Sequence, residues 1–192
     1  MRVGVLALQG AVAEHVAILE GLGAHVSLVR TADDLDAVDG LVIPGGESTA
    51  MARLAAGTGL FAAIRLRIDD GTLAVFGTCA GLILLADDVD PAGSLVDHIG
   101  GLPVSVTRNG FGNQLASFEA ELDLADSTTS ETLRAAFIRA PRITEVGKDV
   151  RVLASYEGEA VVVEYGKLIA ATCHPEISGD ATLHARFLDL VP

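Results

Sequence analysis

The chain has 192 residues, of which 13 are Lys or Arg and 26 are Asp or Glu, so its formal charge is 13 − 26 = −13. Half of the residues are hydrophobic and a fifth are charged, which excludes a disordered chain and suffices for one domain over residues 1–192. The negative charge argues against nucleic acid or an anionic membrane as a partner, and no apolar run approaches the roughly 20 residues that cross a bilayer.

The first 90 residues alternate between strand and helix patterns. A continuous apolar run predicts a strand at residues 3–8, and further strands are predicted at 25–29, 40–43 and 73–76. Val12, Val16 and Leu19 recur at helical spacing and predict a helix that ends near Gly21, and residues 82–86 belong to a helix after the fourth strand. Strands that alternate with helices predict a parallel sheet with right-handed crossovers.

The second half is richer in strand patterns. Strands are predicted at residues 103–107, 116–122, 136–139, 150–155, 160–165 and 168–172, an exposed polar loop at 123–130, and a closing helix at 180–190. Gly158 and Gly166 lie at turns between neighbouring strands, which indicates antiparallel hairpins. The predicted fold is therefore α/β with three layers, a mostly parallel sheet flanked by helices, and antiparallel β additions in the C-terminal half.

A cysteine lies in a glycine-rich turn between a strand and a helix. The segment Gly77-Thr78-Cys79-Ala80-Gly81 has the layout of a nucleophile elbow, in which glycines permit a turn too tight for side chains. The start of the following helix favours a thiolate and supplies backbone N–H groups for an oxyanion. The alternative is a buried cysteine in an ordinary strand-to-helix turn.

Two further motifs follow predicted strands. His174 and Glu176, separated by Pro175, are expected to point to the same side of an extended chain, so that Glu176 orients His174 toward the thiol. The segment 44–49, PGGEST, has paired glycines that let a backbone N–H approach a substrate, and Glu47 and Ser48 open a helix there. It lacks the GKS or GKT signature of a phosphate-binding loop.

These motifs resemble those of the class I, triad-type glutamine amidotransferases, and specifically of the glutaminase subunits of pyridoxal 5′-phosphate synthases. The resemblance rests on LQGA at 8–11, PGGEST at 44–49, FGTCAG at 76–81, RNGFG at 108–112, FIRAP at 137–141 and HPE at 174–176. FGTCAG and HPE are shared by the wider superfamily, whereas LQGA, PGGEST and FIRAP single out this subunit.

The resemblance implies a role for each matching residue. Cys79 would be the nucleophile, His174 the base and then the acid, and Glu176 the group that orients His174. Glutamine would be held by Gly46, Glu47, Ser48, Arg108, Ile138 and Arg139, and the backbone N–H groups of Gly46 and Ala80 would form the oxyanion hole. An acid and guanidinium groups suit the ammonium and carboxylate of an amino acid, although which residue contacts which end stays open.

The resemblance also implies a partner. L-Glutamine would be hydrolysed to L-glutamate and ammonia through a glutamyl thioester, and a multi-subunit synthase core would use the ammonia to make pyridoxal 5′-phosphate. Gln9 and Gly10 would lie either at that interface or in a tight turn into the first helix. Asn113 replaces a basic residue of the family and bears on the partner contacts. The alternatives are a stand-alone γ-glutamyl or cysteine hydrolase and a non-enzymatic subunit of the same fold.

The remaining cysteine and histidines show no metal-binding pattern. Cys79 and Cys173 are too few for a disulfide scaffold and lack the CxxC spacing of a zinc site. We therefore expect a reduced, cytoplasmic protein with no metal and no cofactor, in which Cys173 packs in the core. The other histidines are assigned to the surface or to ordinary hydrogen bonds, namely His15, His25, His98 and His184.

Overall fold

The structure is a computed structural model that describes residues 1–90, 95, 97–108, 110, 117–125 and 132–192. Most of the predicted loop at 123–130 lies outside the described residues, as do Asn109, Phe111, Gly112 and Asn113. The described strands are β1 (Arg2–Leu6), β2 (His25–Val29), β3 (Gly40–Ile43), β4 (Ala74–Thr78), β5 (Ala86–Asp90), β6 (Leu102–Thr107), β7 (Phe118–Asp123), β8 (Thr132–Phe137), β9 (Arg142–Val146), β10 (Arg151–Tyr156), β11 (Glu159–Tyr165) and β12 (Leu168–Ala171). The described helices are α1 (Val12–Gly21), α2 (Ala32–Leu35), α3 (Ser48–Ala55), α4 (Leu60–Asp69), α5 (Ala80–Leu85) and α6 (Thr182–Leu190).

A seven-stranded sheet forms the centre of the fold, in the order β10-β11-β12-β4-β3-β1-β2. The five strands from β12 to β2 pair in parallel, whereas β11 pairs antiparallel with both β10 and β12. Strands β7 and β8 form a separate antiparallel pair, and β5, β6 and β9 form a three-stranded sheet. The mostly parallel sheet and its antiparallel C-terminal additions are therefore confirmed.

Helices cover both faces of the large sheet. Ile43 and Val75 belong to an apolar core that includes residues of α3, α4 and α5, while their neighbours Val42 and Phe76 belong to a second core with residues of α1 and α6. Successive side chains of a strand point to opposite faces, so each central strand contributes to both cores. This arrangement gives the three predicted layers. No helix within the described ranges is both long and apolar enough to span a bilayer.

Some elements differ from the predictions. The strand predicted at 136–139 ends at Phe137, because Arg139 has φ of 49° and turns the chain out of the extended conformation. The helix predicted at 82–86 ends at Leu85, and β5 begins directly after it. Four elements carried no prediction, namely α2, α4, β5 and β9.

The order of the strands places three loops at one edge of the sheet. Strand β4 lies between β3 and β12, and all three run parallel. Their carboxyl ends therefore meet at the same edge, which is where ligands bind in open α/β sheets. PGGEST follows β3, Cys79 follows β4 and His174 lies shortly after β12.

Candidate active site

Cys79 occupies a strained turn between β4 and α5. Its φ of 47° and ψ of −95° lie in a region of backbone conformation that residues other than glycine rarely adopt. Holding a residue there costs on the order of 1–3 kcal/mol of conformational strain. The turn is held because the Cys79 N–H donates to the Ala171 carbonyl at 2.8 Å and its carbonyl accepts from the Ile83 N–H at 3.2 Å. A Cβ atom on Gly81 would lie 2.2 Å from the Ile43 carbonyl oxygen, so the turn can pack against β3 only with glycine there.

His174 is fixed by its backbone and by one carboxylate. Its N–H donates to the Ala136 carbonyl at 2.7 Å and its carbonyl accepts from the Ala136 N–H at 3.2 Å. Its Nδ1 lies 2.7 Å from Glu176 Oε1, and both side chains are buried. The predicted contact therefore forms, although residues 175–179 make a turn rather than a continuation of β12.

The surroundings of this pair shift both pKa values. Burial opposes the charge on His174, but the neighbouring Cys79 thiol and Glu176 carboxylate outweigh it and raise its pKa to about 10. Burial likewise opposes ionisation of Glu176, yet His15, 3.6 Å from Oε1, and His174, 2.7 Å from it, lower its pKa to about 2. At neutral pH the site therefore contains an imidazolium against a carboxylate, in which Nδ1–H donates to Glu176.

The PGGEST loop approaches His174 and the first loop of the chain through its glycines. A Cβ atom on Gly45 would lie 2.2 Å from His174 Cε1, and one on Gly46 would lie 2.4 Å from Gln9 Oε1. The Gly45 carbonyl accepts a hydrogen bond from the Ala11 N–H at 3.0 Å, and Gln9 Oε1 accepts one from the Glu47 N–H at 2.6 Å. The two loops thus hold one another by hydrogen bonds to backbone groups, at a separation that leaves no room for a side chain at Gly46.

Glu47 and Arg108 contact each other beside this loop. Glu47 caps α3 by accepting hydrogen bonds from the Thr49 and Ala50 N–H groups, at 3.1 and 2.7 Å. Arg108 Nη2 lies 3.3 Å from Glu47 Oε1 and 3.0 Å from Thr49 Oγ1. Burial raises the pKa of Glu47, but these backbone donors and the Arg108 charge lower it overall. A carboxylate and a guanidinium therefore lie together, and these groups suit the ammonium and carboxylate of an amino acid.

One cavity of about 330 Å³ brings the predicted residues together. It is lined by eight of them, Gly46, Glu47, Ser48, Cys79, Arg108, Ile138, Arg139 and His174, and also by Gln9, Gly10, Ala11, Gly45, Ile83 and Ile177. Glu176 is buried behind His174, and Ala80 is the buried first residue of α5. Sequence reasoning missed Ile83 and Ile177, although each lies within a few residues of a predicted site residue.

The other predicted positions are also accounted for. Cys173 is fully buried in the core on the α1 and α6 face, as expected, and burial raises the pKa of its thiol. His25 and His98 are exposed. His15 and His184 are fully buried and hydrogen-bonded to each other, which agrees with the prediction but places them unexpectedly close to Glu176.

The site combines a thiol, an imidazole and a carboxylate at one edge of the central sheet of a three-layer fold. This combination is characteristic of enzymes that transfer acyl groups through a cysteine. The model of the SNO glutamine amidotransferase family matches residues 5–191. The chain belongs to this glutamine amidotransferase family.

Relatives and solved structures agree with this membership. The chain is 51% identical over 190 residues to a pyridoxal 5′-phosphate synthase subunit PdxT of Clavibacter sepedonicus, covering 98% of this chain and 90% of the relative. It is 44% identical over 191 residues to the PdxT subunit of Thermotoga neapolitana, covering the whole of both chains. A crystal structure of a glutamine amidotransferase superposes with a TM-score of 0.92 at 40% identity, covering 98% of this chain and 97% of that one.

Proposed function

We propose that the chain is a single glutaminase domain, residues 1–192, that hydrolyses L-glutamine to L-glutamate and ammonia. The ammonia is used by the synthase subunit of pyridoxal 5′-phosphate synthase, the complex of which the PdxT relatives are subunits. The observation that carries this proposal is the arrangement of Cys79, His174 and Glu176 at adjacent parallel strands, with Cys79 and His174 facing the same cavity as the Glu47–Arg108 pair.

The reaction proceeds in two acyl-transfer steps. With the thiol proton on His174, Cys79 Sγ attacks the side-chain amide carbon of glutamine and forms a tetrahedral oxyanion. His174 then gives its proton to the departing nitrogen, so that the C–N bond breaks and ammonia leaves a glutamyl thioester. Water, deprotonated by His174, attacks this thioester, and the C–S bond breaks to release glutamate and restore the thiol. Glu176 keeps the Nδ1–H of His174 in place throughout.

Substrate binding is assigned to the residues that line the cavity beside Cys79 and His174. Glu47 and Arg108 pair with each other in this structure, and the ammonium and carboxylate of glutamine would replace part of that pairing. Ser48, Ile138 and Arg139 complete the proposed glutamine site. The backbone N–H groups of Gly46 and Ala80 are the proposed oxyanion hole, a feature that contributes roughly 3–4 kcal/mol per donor in enzymes of this kind.

The mouth of the cavity suits a protein partner. Ile138 and Ile177 line the cavity, yet 37% and 46% of their surfaces are exposed. Exposed apolar side chains beside a site are typical of surfaces that another protein covers. We assign this rim, together with the adjacent Gln9–Gly10 turn, to the contact with the synthase core that receives the ammonia.

The test is ammonia release from glutamine by the purified chain, with and without a pyridoxal 5′-phosphate synthase core. We expect the core to stimulate release strongly. Equal rates with and without the core would contradict the partner assignment. Activity on γ-glutamyl peptides but not on glutamine would instead support a stand-alone hydrolase.

Replacement of the nucleophile separates chemistry from binding. Cys79→Ala should abolish ammonia release but retain the fold and glutamine binding, because only the thiol is removed from a cavity that other residues form. Glutamine binding can be followed by calorimetry, and Cys173→Ala is the matched control because that thiol lies in the core, outside the cavity lining. Full activity in Cys79→Ala would refute the proposed mechanism.

A further inference from the structure

Two histidines that the hydrolysis steps do not use lie behind the candidate triad. His15 projects from α1 and His184 from α6, and neither side chain is exposed. His15 Nδ1 lies 2.8 Å from His184 Nε2. Phe76 of β4 contacts both rings edge-on, with ring centroids 6.1 and 5.2 Å away. The pair is thus enclosed between two helices and the central strand that leads to Cys79.

The pair continues to the carboxylate that orients His174. His15 Nε2 lies 3.3 Å from Thr78 Oγ1, and Thr78 Oγ1 donates to Glu176 Oε1 at 3.4 Å. The same carboxylate oxygen lies 2.7 Å from His174 Nδ1 and 3.6 Å from His15 Nε2. A continuous chain of polar contacts therefore runs from His184 through His15 and Thr78 to Glu176.

The carboxylate sets the direction of the hydrogen bonds nearest to it. An ionised carboxylate only accepts hydrogen bonds, so the Thr78 hydroxyl must direct its proton toward Glu176. The Thr78 oxygen can then accept from His15 Nε2–H. The remaining contact joins His15 Nδ1 to His184 Nε2, and its donor is set by the tautomers of the two rings. His184 is neutral because burial, reinforced by His15, lowers its pKa to about 3 despite the opposing effects of Glu176 and Asp180.

Packing alone does not account for this pair. Two imidazoles away from water must recover their lost hydration through hydrogen bonds, whereas Leu or Phe would fill the space between α1, α6 and β4 without that cost. The hydrogen bonds they make lead to a single group, the Glu176 carboxylate. A buried polar chain that ends on one functional atom restrains the position of that atom.

We propose that His15, held by His184, is a positioning residue for glutamine hydrolysis, which acts through Thr78 on Glu176 and thereby fixes the orientation and Nδ1–H form of His174. This inference rests on the proposed glutaminase function. His15 touches neither glutamine nor the thiol in this scheme. Its loss should therefore lower the rate of the chemical steps and leave substrate binding nearly unchanged.

The first test compares two substitutions at position 15 in the chain assembled with the synthase core. His15→Phe fills the space without any donor, whereas the amide nitrogen of His15→Gln can donate to Thr78 Oγ1. We expect His15→Phe to lower kcat about 10- to 100-fold, the effect typical of groups that orient a functional histidine from behind, with KM within about twofold. His15→Gln should recover most of the lost kcat.

The wild-type rate separates the two possible failures. If the wild-type chain with its core releases no ammonia from glutamine, the proposed function fails. If the wild-type chain is active and His15→Phe retains full kcat, the positioning role alone is overturned. A loss of kcat that His15→Gln does not recover, with KM changed in parallel, would also overturn it, because general disruption of the site would explain that result.

A second test needs no substitution at a buried position. Nitrogen NMR of the ¹⁵N-histidine-labelled wild-type chain distinguishes a protonated from an unprotonated ring nitrogen. At pH 7 we expect a proton on His15 Nε2, the atom that faces Thr78 Oγ1. An unprotonated His15 Nε2 could not donate to Thr78 and would refute the proposed route from His15 to Glu176.

Discussion

Acidification should destabilise the protein through His184. In the unfolded chain this histidine has its ordinary pKa of 6.5, whereas burial lowers the pKa to about 3 in the folded protein. Because the folded pKa is the lower one, the unfolded chain takes up the proton first. The stabilisation is therefore complete well above pH 6.5 and is lost progressively as the pH falls from there toward 3.

The magnitude follows from the two pKa values. One pH unit corresponds to about 1.4 kcal/mol per proton, so the uptake linked to His184 lowers the free energy of unfolding by about 2 kcal/mol between pH 7 and pH 5. This figure changes little as long as the folded pKa lies below 5, since the difference then depends mainly on the unfolded chain. Such a loss is a sizeable part of the roughly 5–15 kcal/mol by which a typical folded domain is stabilised.

The assay is urea unfolding of the wild type and of His184→Gln at pH 7 and pH 5. The variant does not titrate at this position and keeps an amide that can donate to His15 Nδ1. Contributions from other groups, including the raised pKa of His174, act in both proteins and cancel in the comparison. We expect the wild type to lose about 2 kcal/mol more than the variant over this interval. Parallel losses in the two proteins, or an NMR titration of His184 with a midpoint near 6.5, would refute the reasoning.

Three further predictions concern the site itself. Glu176→Gln should lower kcat by about 10³- to 10⁴-fold with little change in KM, because the amide does not hold His174 in its Nδ1–H form; steady-state ammonia release measures both constants. Arg108→Gln should raise KM for glutamine about 10- to 100-fold, the loss of one charge-assisted hydrogen bond, and an unchanged KM would remove Arg108 from the binding site. Gly81→Ala should destabilise the fold and abolish activity, because its Cβ would lie 2.2 Å from the Ile43 carbonyl oxygen. Thermal unfolding measures the destabilisation by Gly81→Ala. The control variant is Ala80→Gly, which makes a smaller change in the same turn.

Local sequence patterns were sufficient for most of the central sheet. The apolar run at residues 40–43 coincides with β3, which is buried throughout, because strands buried on both faces must be continuously apolar. The strand predicted at 25–29 coincides with β2, which lies at the edge of the sheet and is mostly exposed. The single-turn helix α2 carried no prediction, since its four residues are too short for any periodicity and depend on a capping box between Thr31 and Asp34. Strand β5, with the sequence ADDVD, is too acidic for an apolar pattern and exists through its pairing with β6.

The candidate site likewise contains residues that the sequence could single out and a contact that it could not reveal. Cys79, His174 and Glu176 could be singled out from the sequence, because a nucleophile elbow and an HPE segment each carry their chemistry within a few residues. The direct pairing of Glu47 with Arg108 could not. The two residues are 61 positions apart and follow strands of different sheets, β3 and β6, so only the packing of those sheets brings them within 3.3 Å.

The sequence alone thus predicted the fold class and the class of substrate, and it singled out Cys79 and His174 as the candidate nucleophile and base. The position of His15 and His184 behind Glu176 was decided only by the tertiary structure, which brings together side chains that are 169 residues apart at 2.8 Å. The physical reason is that hydrophobic periodicity and turn chemistry act over a few residues, whereas a buried polar chain depends on how two helices pack against one strand.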